Sequence, residues 1–314
     1  MGEGEGAFKA MIPLVYHSCY SPEFSQDHRF PMEKFGLLAD FLKDRALLTS
    51  KNQFVPEPAT EYEIIMAHCP DYVREFKNNR LSDKAMRRIG IPWSEGVMRR
   101  TFTAVGGTLM TSRLALKYGL AAHLAGGTHH AHEDFGSGFC IFNDLAVVSR
   151  ILVAEGLAER VLIIDCDVHQ GDGTASILAQ DDSIFSCSFH CRENFPHRKA
   201  QSDFDIELTR GDGGEAYFKA LETHLPYILS ISQPDFILYD AGADVHQDDV
   251  LGYLNLTDGD MAQRDEYIIR LALDQGIPLA CVIGGGYSRD RKALAARHGI
   301  VHQVAARLFA EYDF

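Results

Sequence analysis

Short apolar blocks recur along the chain, each four to seven residues long and rich in β-formers, and stretches with helical spacing separate them. Met11–Tyr16, Ala121–Ala125, Val161–Ile164, Ser183–Phe189, Asp235–Asp240 and Pro278–Ile283 predict strands. Apolar positions three and four apart predict helices over Glu33–Lys43, from Thr60 toward Phe76, and over Ala104–Lys117. Further helices are predicted from Asn143 or Asp144 to Glu155, then over Glu215–Ile231, Thr257–Gln275 and Arg291–Tyr312. Thr60 with Glu63, and Thr257 with Asp260, have capping-box spacing, while Gly119 and Gly156 stand where helices stop. Gly106 and Gly107 predict a soft break in their helix. Asn78–Arg100, irregular and basic around Pro92 and the single Trp93, predicts a long surface excursion, and Asn194–Phe204 a loop. Strand and helix alternate with no linker, composition break or repeat. The expectation is one α/β domain over 1–314, built on a mainly parallel sheet.

Four polar stretches each follow a predicted strand, and in such a sheet residues beyond the carboxyl ends of strands converge on one site. The most informative is VLIIDCDVHQGDG, residues 161–173. In extended chain, alternate residues face one side, so Asp165, Asp167 and His169 aim at one point. Buried carboxylates persist only when paired or bound to a cation, and a divalent metal is the simplest partner for this set. Asp244, between small residues after the strand DFILYD, is the natural third ligand, with His246 a competing one at the same Asp-x-His spacing. His129 and His130 can share proton delivery if acids such as Asp165 and Asp172 orient them, or can themselves be ligands. Tyr287, after three glycines, can donate its phenol to an oxyanion. A phosphate cradle fits less well, because no P-loop Lys or Ser/Thr follows.

Composition narrows the partners. The formal charge of −14 argues against direct nucleic-acid binding and suits basic or neutral substrates. Seven cysteines, an odd number, include Cys140, Cys166, Cys187 and Cys281 inside apolar runs, which points to a reducing intracellular setting. Cys187 and Cys191 flank His190, but no second Cys/His pair follows to complete a zinc site. The start, MGEGEGAFKA, lacks the pattern of a signal peptide, and no uncharged apolar run is long enough to span a bilayer. A soluble, cytoplasmic protein with no membrane partner is expected. Composition does not set the oligomeric state.

GGTHHAHEDFGSGFCIFND, VLIIDCDVHQGDG, YDAGADVHQDD and IGGGYS resemble, in order and spacing, the motifs of the zinc-dependent histone deacetylase family, over about Arg99 to Tyr287. RRTFTAVGGT, and Gln170 where many members have a second histidine, are most similar to the class IV branch. The resemblance implies the three-layer α/β/α fold shared with arginases, and Asp167, His169 and Asp244 as ligands of zinc or ferrous iron. It also implies His130 as principal base and acid backed by Asp172, and His129 backed by Asp165, with Tyr287 polarising the carbonyl. Gly138 and Phe139 with Phe195 would wall a tunnel for the acyl-lysine stem. Asp165, Asp167, His169, Ser188 and Phe189 would hold a structural potassium ion. The implied substrate is an acyl-lysine protein or peptide. A small acylated amine such as an acetyl-polyamine is the alternative, and an inactive acyl-lysine reader a further one. An arginase-like second metal would need an Asp-x-His-x-Asp run that is missing between Asp165 and Asp172. Asn78–Arg100 departs from the rim loop of better-known classes, so no acidic residue there is assigned to hold the substrate backbone, and His132 has no family role.

Overall fold

The computed structural model describes residues 11–312, so the Gly- and Glu-rich start, over which no signal peptide was expected, lies outside the described residues. Eight strands form one sheet: β1 Leu14–Val15, β2 Gln53–Phe54, β3 Leu120–His123, β4 Val161–Asp165, β5 Ile184–Cys191, β6 Phe204–Leu208, β7 Phe236–Asp240 and β8 Leu279–Val282. Their spatial order is β2-β1-β3-β8-β7-β4-β5-β6, and every pairing is parallel, so the expected mainly parallel sheet is wholly so. β3, β4, β7 and β8 are buried at every position, as a sheet covered on both faces requires.

One layer contains α1 Lys34–Asp44, α8 Gly214–Ser232, α9 Asp258–Leu273 and α10 Arg291–Glu311. The other contains α5 Glu95–Tyr118, α6 Asp144–Ala154 and α7 Asp172–Leu178. The result is a single three-layer α/β/α domain.

Several local expectations change. The helix from Thr60 is two, α2 Glu61–Ile64 and α3 Pro70–Lys77. Pro70, with no N–H to donate, starts the second rather than continuing the first. The excursion after Asn78 contains α4 Asp83–Ile89, capped by Ser82, and then the start of α5, capped by Ser94. Gly106 and Gly107 do not break α5. A Cβ at Gly106 would collide with the Glu57 carbonyl, and one at Gly107 with Tyr20 and His123, so the glycines let the helix pack closely. The two-residue β2, the edge strand β6 and the short α7 are additions, each too brief or too mixed to show a period.

Candidate active site

The strands that carry the four polar stretches, β3, β8, β7 and β4, lie side by side in that order, although 42 to 159 residues separate the end of β3 from the ends of the other three in the chain. Because all run the same way, the loops after them meet at one edge. Four separate stretches thereby become one site.

Asp167, His169 and Asp244 offer ligand atoms that all lie within 4.8 Å of one another, all buried. His169 Nδ1 is 2.9 Å from Asp167 Oδ1 and 3.1 Å from Asp244 Oδ2. Burial works against a charge on His169. Hydrogen bonds to the two carboxylates outweigh it and push its pKa up to about 10. Burial and the facing Asp167 charge push Asp244 up to about 6. Two carboxylates that repel each other around an imidazole nitrogen form a donor set suited to a small dication. Gly285 leaves the space beside them: a Cβ there would collide with Asp244 Oδ2 and stand 2.5 Å from Asp167 Oδ2. These residues therefore fit a divalent metal. His246 does not compete. It faces Asp258 through Nε2 at 3.3 Å and accepts from the Asp248 N–H.

Beside this triad stand two histidine–carboxylate pairs. His129 Nδ1 lies 2.6 Å from Asp165 Oδ2, and His130 Nδ1 lies 2.6 Å from Asp172 Oδ1. Their rings are 4.1 Å apart, and neither histidine joins the ligand triad of Asp167. Each ring's Nδ1 is engaged by its acid; His129 Nε2 then faces Asp167 Oδ1 at 3.8 Å, whereas His130 Nε2 is left free to act. The Tyr287 ring sits 6.4 Å from that of His169. Its backbone N–H donates to Asp249, whose carboxylate also accepts from the N–H groups of Leu251 and Gly252 and so fixes the loop. Burial, then the charges of Asp167 and Asp244, keep its phenol protonated.

Phe139, Phe195 and Gly138 line the approach. The Phe195 ring is 4.8 Å from His130 and nearly perpendicular to it, and Phe139 is 5.7 Å from Tyr287. A Cβ on Gly138 would press on the His130 ring, and its φ of +52° is itself in glycine's region. Asp165 and Ser188 are register partners on β4 and β5, so the residues expected around a monovalent cation are neighbours.

Sequence reasoning missed the structural roles of five residues. Lys34 and Arg100 are buried cations lining a cavity of about 30 Å³ at the foot of the site. Burial pulls Lys34 down to about 8 and Arg100 to about 10. Asp249 lies inside the recognised YDAGADVHQDD stretch and could have been singled out there. His132, treated as loop, stacks on Phe135 at 4.3 Å and brings Nε2 to 3.8 Å from Asp172. Gln170 clasps the main chain of Ala200 through both ends of its amide and also donates to Asp205, tying the His169 loop to the approach to β6.

The histone deacetylase domain model matches residues 28–302, and the chain belongs to that family of deacetylase hydrolases. It is 45% identical over 298 residues to an uncharacterized protein of Picosynechococcus sp., covering 95% of this chain and 99% of that one. It is 26% identical to histone deacetylase 2 of Arabidopsis thaliana, over 91% of this chain and 77% of that one. With the acetoin utilization protein AcuC of Staphylococcus aureus it shares 28% identity, over 84% and 73% respectively. The crystal structure of the HDA15 HD domain superposes with a TM-score of 0.80 at 22% identity, over 95% of this chain and 89% of that one, and shows the same fold. Among the described residues, no helix is long and apolar enough to cross a membrane.

Proposed function

We propose that this chain removes short acyl groups, chiefly acetyl, from lysine side chains of proteins or peptides. Its catalytic domain spans 1–314. The observation that carries the reading is the meeting of Asp167, His169 and Asp244 with His130 and Tyr287 at the end of one lined approach.

A zinc ion held by Asp167, His169 and Asp244 would acidify water and draw charge from the acyl carbonyl, and ferrous iron suits the same donors. The chain's own residues do the rest. His130, neutral and oriented by Asp172, takes a proton from the attacking water at Nε2 and returns it to the leaving amine. Tyr287 donates its phenolic proton in a hydrogen bond to the carbonyl oxygen as that oxygen gains charge. His129, with Asp165, supplies positive charge beside His130. Phe139 and Phe195 hold the aliphatic stem and exclude water. The small cavity at the foot, about 30 Å³, has room for a group of roughly methyl size. Asp165, Asp167, His169, Ser188 and Phe189 are read as a potassium site that stiffens the β4–β5 edge. The likeness of RRTFTAVGGT and Gln170 supports the class IV branch, and seven free cysteines support a reducing intracellular setting.

The test is a set of lysine peptides with acyl groups of increasing length, assayed with and without chelator. Acetyl should be fastest, rates should fall with chain length, and chelation followed by zinc should abolish and restore turnover. Release of no acyl group from any peptide by the zinc-loaded protein would overturn the reading.

A further inference from the structure

The mouth of the approach differs in charge from the rest of the molecule. The chain as a whole has a formal charge of −14, yet the wide pocket that opens above His130, His169 and Tyr287 is lined by Arg29, Arg87 and Arg88, and an adjoining one adds Arg289. The fold anchors each of them to the tunnel wall. Arg29 stands between His28 and Phe30, whose rings pack 6.1 Å and 5.6 Å from that of Phe139. Arg87 and Arg88 lie in the last turn of α4, and its last residue, Ile89, accepts a 2.8 Å hydrogen bond from the Phe139 N–H. Arg289 is two residues beyond Tyr287. Arg88 lies over the Phe135 ring, while Arg29, Arg87 and Arg289 make no ion pair among the described residues. The acidic side is weaker. Glu193 is engaged by Arg192 and by the Arg210 N–H, and Glu33 of the adjoining pocket by Arg291, which leaves Asp27.

Resting on the proposed deacylation, we propose that this arginine rim selects acyl-lysines flanked by acidic residues. A carboxylate one to three residues from the acyl-lysine would meet unpaired guanidiniums outside the tunnel. Those contacts are exposed, so each contributes modestly and is screened by salt, but three or four together make a clear preference. A cationic carrier such as an acetyl-polyamine is disfavoured by the same field, although the overall charge alone would have suggested the opposite.

The experiment compares acetyl-lysine peptides that differ only in flanks of Asp/Glu, Ser/Gly or Lys/Arg, together with acetylspermidine, reading kcat/KM and, in parallel, peptide affinity by anisotropy. At low ionic strength the acidic peptide should exceed the basic one by roughly tenfold, the ratio shrinking toward about twofold in half-molar salt. The double variant R29E/R87E should invert the order. Equal values for all flanks in both readouts, or acetylspermidine turned over faster than the acidic peptide, would overturn the preference. Absence of hydrolysis with the affinity order intact would instead overturn the proposed reaction and leave the rim selective.

Discussion

His129 and His130 are chain neighbours, each with Nδ1 2.6 Å from a buried carboxylate, yet their protons are held in opposite ways. Burial works against a charge on both. At His129, Asp165 is joined by Asp167, and the two negative charges keep the ring protonated well above the usual histidine range. At His130, burial is joined by the positive charge of His129, and the bond to Asp172 does not offset them, so its pKa falls to about 4. His129 is therefore pushed toward its charged form, while His130 is a neutral base with a directed lone pair. The acid alone does not decide which. The charges around it do, and they follow from where each acid sits: Asp165 closes β4 two residues before Asp167, whereas Asp172 starts α7.

Removing the neutral base should do the most damage. His130→Ala is expected to lower turnover by roughly 10²–10⁴-fold while the metal content of the protein stays at one per chain. Near-normal turnover would hand the proton transfer to His129. Tyr287→Phe should cost on the order of 10²–10³-fold, read in kcat with metal content unchanged, because it deletes one donor to the developing oxyanion. His129→Asn should cost less than His130→Ala and leave a different mark. With the neighbouring charge gone, the pKa of His130 rises from about 4 but stays below the free value because burial persists, so the acid limb of the pH–rate profile moves up. An unmoved limb would show that His129 does not set its neighbour's proton.

A third kind of histidine completes the comparison. His68, His123 and His302 are buried with no carboxylate partner, and burial drives them to about 4, about 3 and about 4. Their folded values lie below the unfolded one, near 6.5. The stability they contribute is whole above that pH and is lost as pH falls from there toward about 4. At pH 5 the loss is about 2 kcal/mol per histidine, which should appear as a lower urea midpoint than at pH 7. Replacing His302 by Gln should shrink that difference by its own share of about 2 kcal/mol, leaving those of His68 and His123, without moving the acid limb of catalysis.

Much of this geometry was readable beforehand where apolar runs end abruptly in polar residues. Val161–Ile164 followed by Asp165, and Phe236–Tyr239 followed by Asp240, announce both strand and site, because four consecutive apolar side chains imply a covered strand with one polar end. What stayed hidden was contributed by distant chain or by small elements. Lys34 reaches Gly284 across 250 residues, and no local pattern marks it as part of the floor. α4 buries only Ile89, so it shows no apolar stripe, although Ser82 and Ser94 marked helix starts that the basic surroundings masked. His129 against His130 was equally beyond reach: the residues are adjacent and identical in type, and only the placement of Asp167 separates them.

The strand order also has a consequence for how the protein comes into being. β3 pairs on its inner side with β8, whose first residue is Leu279, so the centre of the sheet stays open until nearly the whole polypeptide has emerged from the ribosome. Until then β3 and β7 present bare, largely apolar edges, a template for adhesion between nascent chains. The β3 edge waits about 156 residues of elongation for its partner and the β7 edge about 39, so slow translation or scarce chaperones should reduce the yield of this molecule far more than they reduce the stability of what has already folded.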